Sequence, residues 1–165
     1  MFGIQITGHS LGGALASLAA AKIVHSKAIP QERIKLVTFG QPRTGDSGFA
    51  SGMASSLSFY NYRVTRARDL VVHVPPRVFQ DYAHYRTEIF YDNDMKPGAK
   101  WIRCVGGDED KNSKTRFLYV RVAAFSNFFP KHNGKFETSI YHVSDHTNYF
   151  DRVVSEYGRK GCYSG

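Results

Sequence analysis

A glycine-flanked serine between an apolar strand and an alanine-rich helix constrains this chain more than any other feature. Residues 2–7 (FGIQIT) have the pattern of a short buried strand, Gly8-His9-Ser10-Leu11-Gly12 follows at once, and residues 14–26 have strong helix propensity. A G-x-S-x-G sequence in this context forms a tight turn with strained dihedrals, where side chains at the glycines would clash with neighbouring segments. The turn exposes the hydroxyl and points helical amides at developing negative charge. We therefore predict that Ser10 is a nucleophile and that the Leu11 amide is one of two oxyanion donors.

The remaining pattern predicts an α/β fold with a mainly parallel sheet. Residues 34–39 (IKLVTF) and 57–64 (LSFYNYRV) are apolar or alternating, as in strands, and residues 46–56 favour a short helix. We expect the three early strands to be parallel neighbours because strands and helices alternate. Further predicted elements are an antiparallel edge hairpin of residues 87–91 with 100–105 and a C-terminal helix over residues 145–154.

Composition excludes several classes of protein. The 165 residues suit one domain, and 42% hydrophobic with 22% charged residues is ordinary globular usage. Two cysteines are too few for a disulfide scaffold, and no run of about 18 apolar residues predicts a transmembrane helix. The net charge of +8 is not organised into any nucleic-acid-binding motif, so we predict no nucleic-acid partner. A basic face toward anionic lipid explains that charge better than nucleic acid does, and an ordinary solvated surface explains it better still.

A serine hydroxyl needs a general base and an acid that orients the base. In enzymes built on this turn, the acid follows the serine in the chain and the histidine follows the acid. Asp69 comes just after the third predicted strand, beside the apolar residues 70–76 (LVVHVPP), and is either this acid or a structural cap. Asp46 and Asp81 lie in polar loops and are typical of turns.

Seven histidines compete for the role of base. Five have a simpler explanation as part of the turn, a helix end, a loop over the core or a polar turn: His9, His25, His73, His84 and His132. His142 and His146 remain, and their i, i+4 spacing lacks the further ligand that a zinc motif requires, so we predict no metal site. His146 begins the predicted C-terminal helix, where a ring can reach over an active site, and we favour it as the base.

Four segments resemble, in the same order, segments of the fungal-type triacylglycerol lipases, the class 3 lipase family of α/β-hydrolases. They are residues 6–14 (ITGHSLGGA), 37–46 (VTFGQPRTGD), 68–76 (RDLVVHVPP) and 145–150 (DHTNYF). The resemblance covers residues 4–113 and 140–162. It implies an α/β-hydrolase fold in which Ser10, Asp69 and His146 are catalytic, with no cofactor. It also implies a lipid ester substrate at a membrane or droplet surface, and secretion, although no signal peptide is recognisable in this chain.

The chain also departs from the family pattern. The family carries further strands, a lid and the second oxyanion donor ahead of the nucleophile strand, and we expect the domain to be incomplete without them. Cys104 and Cys162 resemble cysteines whose disulfide partners are missing here, and residues 114–138 form an atypical basic insert. We therefore expect residues 1–162 to be the C-terminal part of one lipase-like domain, with residues 163–165 as a tail. Such a chain alone should be poorly stable and a weak esterase.

These observations leave three functions open. The first is hydrolysis of lipid esters through a serine acyl-enzyme. The second is a catalytically impaired remnant of such an enzyme, and the third is a basic module that binds lipid surfaces. The sequence does not determine the preferred acyl chain, and other esters remain possible on the same scaffold.

Overall fold

The computed structural model describes residues 3–57, 59–77, 79–85, 87–106, 131–132, 135–136 and 142–162. Four helices and eleven strands occur in these ranges, together with 3₁₀ turns at Gln31–Arg33 and Val71–His73. In chain order they are β1 (Ile4–His9), α1 (Leu11–Ser26), β2 (Ile34–Phe39), β3 (Gly45–Asp46), α2 (Ser47–Ser56), β4 (Tyr60–Arg66), β5 (Tyr82–Ala83), β6 (Glu88–Tyr91), β7 (Ile102–Cys104), β8 (Lys131–His132), β9 (Lys135–Phe136), α3 (Val143–Thr147), β10 (Asn148–Tyr149), β11 (Arg152–Val153) and α4 (Val154–Arg159).

The main sheet has five strands in the order β1-β2-β4-β6-β7. The first four are parallel, and β7 is antiparallel to β6 at the edge. The predicted parallel neighbours and the predicted edge hairpin are therefore confirmed. The third strand begins at Tyr60 rather than Leu57, because Leu57 ends α2 and is fully buried in the core. Strand β1 extends to His9, two residues beyond the predicted end.

Small side chains bring α1 and α2 close to one face of the sheet. Ala16 and Ala20 of α1 and Ala50 and Met53 of α2 are buried in one hydrophobic cluster around Leu36 of β2. Helix α1 ends at Ser26, and the next residue, Lys27, adopts the left-handed conformation (φ 54°) and donates its N–H to the carbonyl of Val24. The crossover from β1 through α1 to β2 thus places the serine turn at the carboxyl end of β1.

The opposite face of the sheet is covered by the C-terminal segment. Tyr149 packs there with Val64 of β4 and Met95, in a second cluster that also contacts Phe39 of β2 and Ile89 of β6. This arrangement brings residues far apart in sequence to one edge of the sheet.

The predicted continuous helix over residues 145–154 is wrong. Helix α3 covers only Val143–Thr147, and a tight β10–β11 hairpin follows, in which Phe150 and Asp151 have positive φ angles of 50° and 59°. His146 consequently lies near the end of a short helix rather than at the start of a long one. The helix stops because the segment turns back so that Tyr149 can bury its ring against the sheet, which outweighs local helix propensity.

Some of the sequence-based expectations fall on residues that the structure describes only in part. Of the basic insert over residues 114–138, only the antiparallel pair β8–β9 is described, and the tail of residues 163–165 lies outside the described ranges. No disulfide joins Cys104, which is buried, to Cys162, which is exposed. Within the described residues, no helix combines the length and apolar character needed to cross a bilayer.

Candidate active site

Ser10 occupies a strained turn between β1 and α1. Its backbone has φ 58° and ψ −131°, a conformation that is costly for a residue with a side chain, and its N–H donates to the carbonyl of Phe39 over 2.9 Å. A Cβ on Gly8 would lie 2.1 Å from the carbonyl oxygen of Gly12, so only glycine fits at position 8. A Cβ on Gly12 would meet nothing within 4 Å, whereas one on Gly13 would lie 3.2 Å from Gln41 Cβ. The expected clash therefore occurs at the first glycine of the motif and not at the second.

Ser10, His146 and Asp69 form one hydrogen-bonded chain. Ser10 Oγ lies 2.9 Å from His146 Nε2, and His146 Nδ1 lies 2.9 Å and 3.0 Å from the two carboxylate oxygens of Asp69. A carboxylate only accepts, so Nδ1 carries the proton and Nε2 is left to accept the serine hydroxyl. Asp69 is completely buried and the other two residues are half-buried. This is the geometry in which a neutral imidazole can remove the serine proton.

The carboxyl ends of parallel strands bring these groups together. Ser10 follows β1, Gly40 follows β2, and Asp69 lies three residues after β4. Gly40 has φ 56°, and a Cβ there would be 2.9 Å from Asp69 Oδ2 and 3.1 Å from His146 Nδ1. Glycine at position 40 is thus needed for both its backbone conformation and the close approach of the acid–histidine pair.

Two further donors satisfy the buried carboxylate of Asp69. The hydroxyl of Tyr149 donates to Oδ2 over 3.0 Å, and the backbone N–H of Val71 donates to Oδ1 over 2.8 Å. Burial, and next the charge and hydrogen bond of Asp69, raise the pKa of Tyr149 well above its usual value, so the phenol stays a donor. From the sequence, Tyr149 was considered only as part of the segment 145–150 and was given no role. The signal that could have found it is a hydroxylated ring three residues after the histidine.

His9 contacts the triad although it cannot act as its base. Its Nε2 lies 2.7 Å from the backbone carbonyl oxygen of His146, and the two rings are 4.7 Å apart between centroids. Since a carbonyl only accepts, His9 carries its proton on Nε2. Burial, as the largest cause, lowers the pKa of His9 below its usual value, which keeps the ring neutral near pH 7. His9 therefore supports the backbone of His146, a role that sequence reasoning missed.

The other candidate residues lie outside this chain of hydrogen bonds. His142 Nε2 lies 3.2 Å from Arg68 Nη1, and His84 is buried with Nε2 2.7 Å from the carbonyl of Val72. Asp46 caps α2 by accepting the N–H of Phe49 over 2.7 Å, as its turn-like context predicts. Among the described residues, no group of three or more acidic, histidine or cysteine side chains is arranged to hold a metal ion.

Leu11 is the first residue of α1, directly after Ser10, so its N–H has no acceptor within the helix. Such an amide is suited to stabilise a developing oxyanion. The Leu11 side chain is 67% exposed.

A buried polar network centred on Gln41 supports the loop that follows β2. Gln41 is 1% exposed, accepts the hydroxyls of Thr38 and Tyr85 over 2.7 Å and 3.2 Å, and donates to Thr44 Oγ1 over 2.8 Å. Burial raises the pKa of Tyr85, so its hydroxyl also remains a donor. Gln41 Nε2 also donates to Ser17 Oγ over 3.4 Å, which links the loop after β2 to the second turn of α1.

The sheet, the serine turn and the position of the histidine and acid define an α/β-hydrolase. Comparison with known proteins agrees. The profile of the family described as lipase (class 3) matches residues 2–79. The lipase ZK262.3 of Caenorhabditis elegans is 31% identical to this chain, over 98% of this chain and 48% of the nematode protein.

Solved structures show the same relationship. The lipase of Rhizopus microsporus var. chinensis superposes with a TM-score of 0.67 and 25% identity, over 92% of this chain and 44% of that protein. A triacylglycerol lipase whose catalytic centre is formed by a serine protease triad superposes with a TM-score of 0.68 and 25% identity, over 91% of this chain and 48% of that chain. The chain belongs to the class 3 lipase family. It spans less than half the length of each of these three proteins.

Proposed function

We propose that this chain carries the catalytic serine, histidine and aspartate of a lipid ester hydrolase that works through an acyl-enzyme. The observation that carries the proposal is the continuous hydrogen-bond chain from Ser10 through His146 to Asp69. The strained turn at Ser10 is independent support, because a merely structural serine does not need it.

In the proposed reaction, Ser10 Oγ attacks the ester carbonyl while His146 Nε2 takes the hydroxyl proton. The negative charge that forms on the carbonyl oxygen is held by the Leu11 N–H. Asp69 stabilises the resulting imidazolium through the bond to Nδ1. His146 then gives the proton to the departing alcohol, and a water activated by the same ring releases the acid from Ser10. A second oxyanion donor is required, since loss of one donor costs about 10²–10³ in turnover in other enzymes.

The proposed substrate is an acylglycerol presented at a lipid surface. A structural relative carries the activity of a triacylglycerol lipase, and three leucines at helical spacing on α1 are exposed beside the serine. Leu11, Leu15 and Leu18 are 67%, 58% and 44% exposed. An apolar stripe that begins at the nucleophile would place the site at an interface between water and lipid.

Labelling with a fluorophosphonate probe tests the chemistry directly, because the probe reacts only with an activated serine. We expect the folded chain to be labelled and the Ser10→Ala variant to remain unlabelled. Asp69→Asn should be labelled much more slowly, since the histidine then loses its orienting charge. Labelling of the native chain no faster than that of the heat-unfolded chain would contradict the proposal.

Binding to lipid surfaces without catalysis is the second candidate, favoured by the exposed leucines and the net charge of +8. Flotation with phosphatidylglycerol vesicles, combined with the labelling of Ser10, separates the two functions. Under this candidate, Ser10→Ala floats as well as the native chain, and the double variant Leu15→Gln, Leu18→Gln floats less. If neither protein floats, surface binding is not a property of this chain.

A further inference from the structure

One arginine bridges the segments on both sides of the histidine. Arg66 ends β4, its side chain is only 14% exposed, and its guanidinium lies against the segment that carries His146. The Nη1 group donates to the carbonyl of Asn148 over 2.7 Å and approaches that of Ser144 at 3.5 Å. The Nη2 group lies 3.7 Å from Asp145 Oδ1.

These contacts are made to residues on both sides of His146 in the chain. Ser144 and Asp145 precede it, and Asn148 comes directly after the end of α3. A five-residue helix has few internal hydrogen bonds, and its last carbonyls have no partner within it. The planar guanidinium supplies donors in a fixed fork that reaches two backbone carbonyls and a carboxylate at once, which a lysine ammonium does not reproduce. Arg66 therefore supplies hydrogen bonds that the short helix cannot make within itself, and these hold the helix in place.

The same guanidinium also links the segment that carries His146 to the loop after β6. Arg66 Nε donates to the carbonyl of Asn93 in that loop over 3.3 Å. Arg66 is the last residue of β4 and Asp69 follows three residues later, so the acid and the arginine leave the sheet at the same edge.

Arg68 provides a matched contrast. Its side chain is exposed and contacts the ring of His142 at 3.2 Å, whereas its contribution to the histidine segment is made by backbone groups. Its N–H donates to Asp145 Oδ2 over 3.0 Å, and its carbonyl accepts the N–H of His142 over 3.2 Å. Replacing the Arg68 side chain leaves both of these backbone bonds in place.

We propose that Arg66 is a positioning residue that holds His146 between Ser10 and Asp69, an inference that rests on the proposed function. It acts through the backbone of Ser144 and Asn148 and through Asp145. In the described part of the chain, the side-chain hydrogen bonds and ion pair of Arg66 are made to these groups and to Asn93, and not to Ser10 or the ring of His146.

The test compares Arg66→Lys, Arg66→Gln and the control Arg68→Gln in the full chain, at a temperature where each is folded by circular dichroism. The first readout is the rate of fluorophosphonate labelling of Ser10. We expect Arg66→Lys to slow labelling at least about tenfold, since small displacements of a catalytic group are costly, and Arg68→Gln to stay within about twofold. Labelling of Arg66→Lys at the native rate would overturn the proposal.

The second readout does not require activity. In ¹⁵N-histidine-labelled chain, the Nδ1 proton of His146 shared with Asp69 gives a downfield NMR signal, which is assigned by its loss in His146→Gln. We expect this signal to broaden or shift in Arg66→Lys and to be unchanged in Arg68→Gln. An unaltered signal in both Arg66 variants overturns the positioning role. If the native chain is not labelled while its signal still responds to Arg66, the proposed hydrolysis fails and the positioning role stands.

Discussion

The hydroxyl of Tyr149 lies 3.0 Å from Oδ2 of Asp69, in a part of the molecule closed to solvent. A completely buried carboxylate is tolerated only when donors surround it. Here the donors come from His146, Tyr149 and the backbone of Val71. The phenol therefore has two roles, because its ring packs against the sheet and its hydroxyl satisfies the acid.

Replacement of Tyr149 by Phe should destabilise the protein by about 1–3 kcal/mol, the cost of removing one donor from a buried charged acceptor. Urea unfolding of Tyr149→Phe beside Tyr60→Phe measures this, since Tyr60 is 52% exposed and its hydroxyl is a suitable control. Equal stability of the two variants would show that Asp69 does not need the phenol.

The same residue predicts how stability changes at alkaline pH. Because burial raises the pKa of Tyr149 in the folded state, its contribution is present below about pH 10, the value for an unfolded tyrosine, and is lost as pH rises beyond that. The free energy of unfolding of the native chain should fall above pH 10, and that of Tyr149→Phe should fall less steeply. Parallel curves for the two proteins would argue against the raised pKa.

His9 should govern part of the response to acid. Its pKa is lowered in the folded state by burial, so its contribution is present above about pH 6.5 and is lost as pH falls below that value. His9→Gln removes this titration, and its free energy of unfolding should fall less between pH 6.5 and 5 than that of the native chain. His25→Gln, the same substitution at an exposed position at the end of α1, is measured over the same range as a control.

The two glycines that flank the serine should differ in their tolerance of alanine. Gly8→Ala places a methyl group 2.1 Å from a backbone oxygen and should cost about 3 kcal/mol or more, whereas Gly12→Ala meets open space in a helix and should stabilise by about 0.5–1 kcal/mol. Thermal unfolding followed by circular dichroism checks both. A folded Gly8→Ala variant with native stability would mean that the turn is less tight than described.

Gln41 should be intolerant of an apolar replacement of similar size. Gln41→Met leaves the buried hydroxyls of Thr38 and Tyr85 without their acceptor, at a cost of about 2–4 kcal/mol. The matched change Gln5→Met lies on an exposed position of β1 and should cost less than about 0.5 kcal/mol. Denaturant titration distinguishes these values, and similar stabilities would indicate that the network contributes little.

Much of the architecture could be predicted because its signals are local. The apolar run of β1, the G-x-S-x-G turn and the helix propensity of α1 lie within one continuous segment, and the order of β1, β2 and β4 follows from the crossover rule. Ser10 and Asp69 could be chosen as candidates because each follows a recognisable strand. Their approach to His146 was expected from the sequence, and the structure places all three within hydrogen-bonding distance.

What the sequence alone could not determine depends on contacts between distant segments. Contacts between residues about 80 to 140 positions apart decide four features of this site. They are the end of α3, the burial of Tyr149, the support of His146 by His9 and the hydrogen bonds of Arg66. The local pattern of residues 145–154 favours a continuous helix, and that prediction failed because tertiary packing of Tyr149 outweighs propensities worth only a few tenths of a kcal/mol per residue. The sequence by itself determined the serine turn and the order of the parallel strands, since both follow from short-range sterics and chain connectivity. Only the tertiary structure decided how the histidine is held, because burial and hydrogen bonding at that edge arise when the C-terminal segment packs against the sheet.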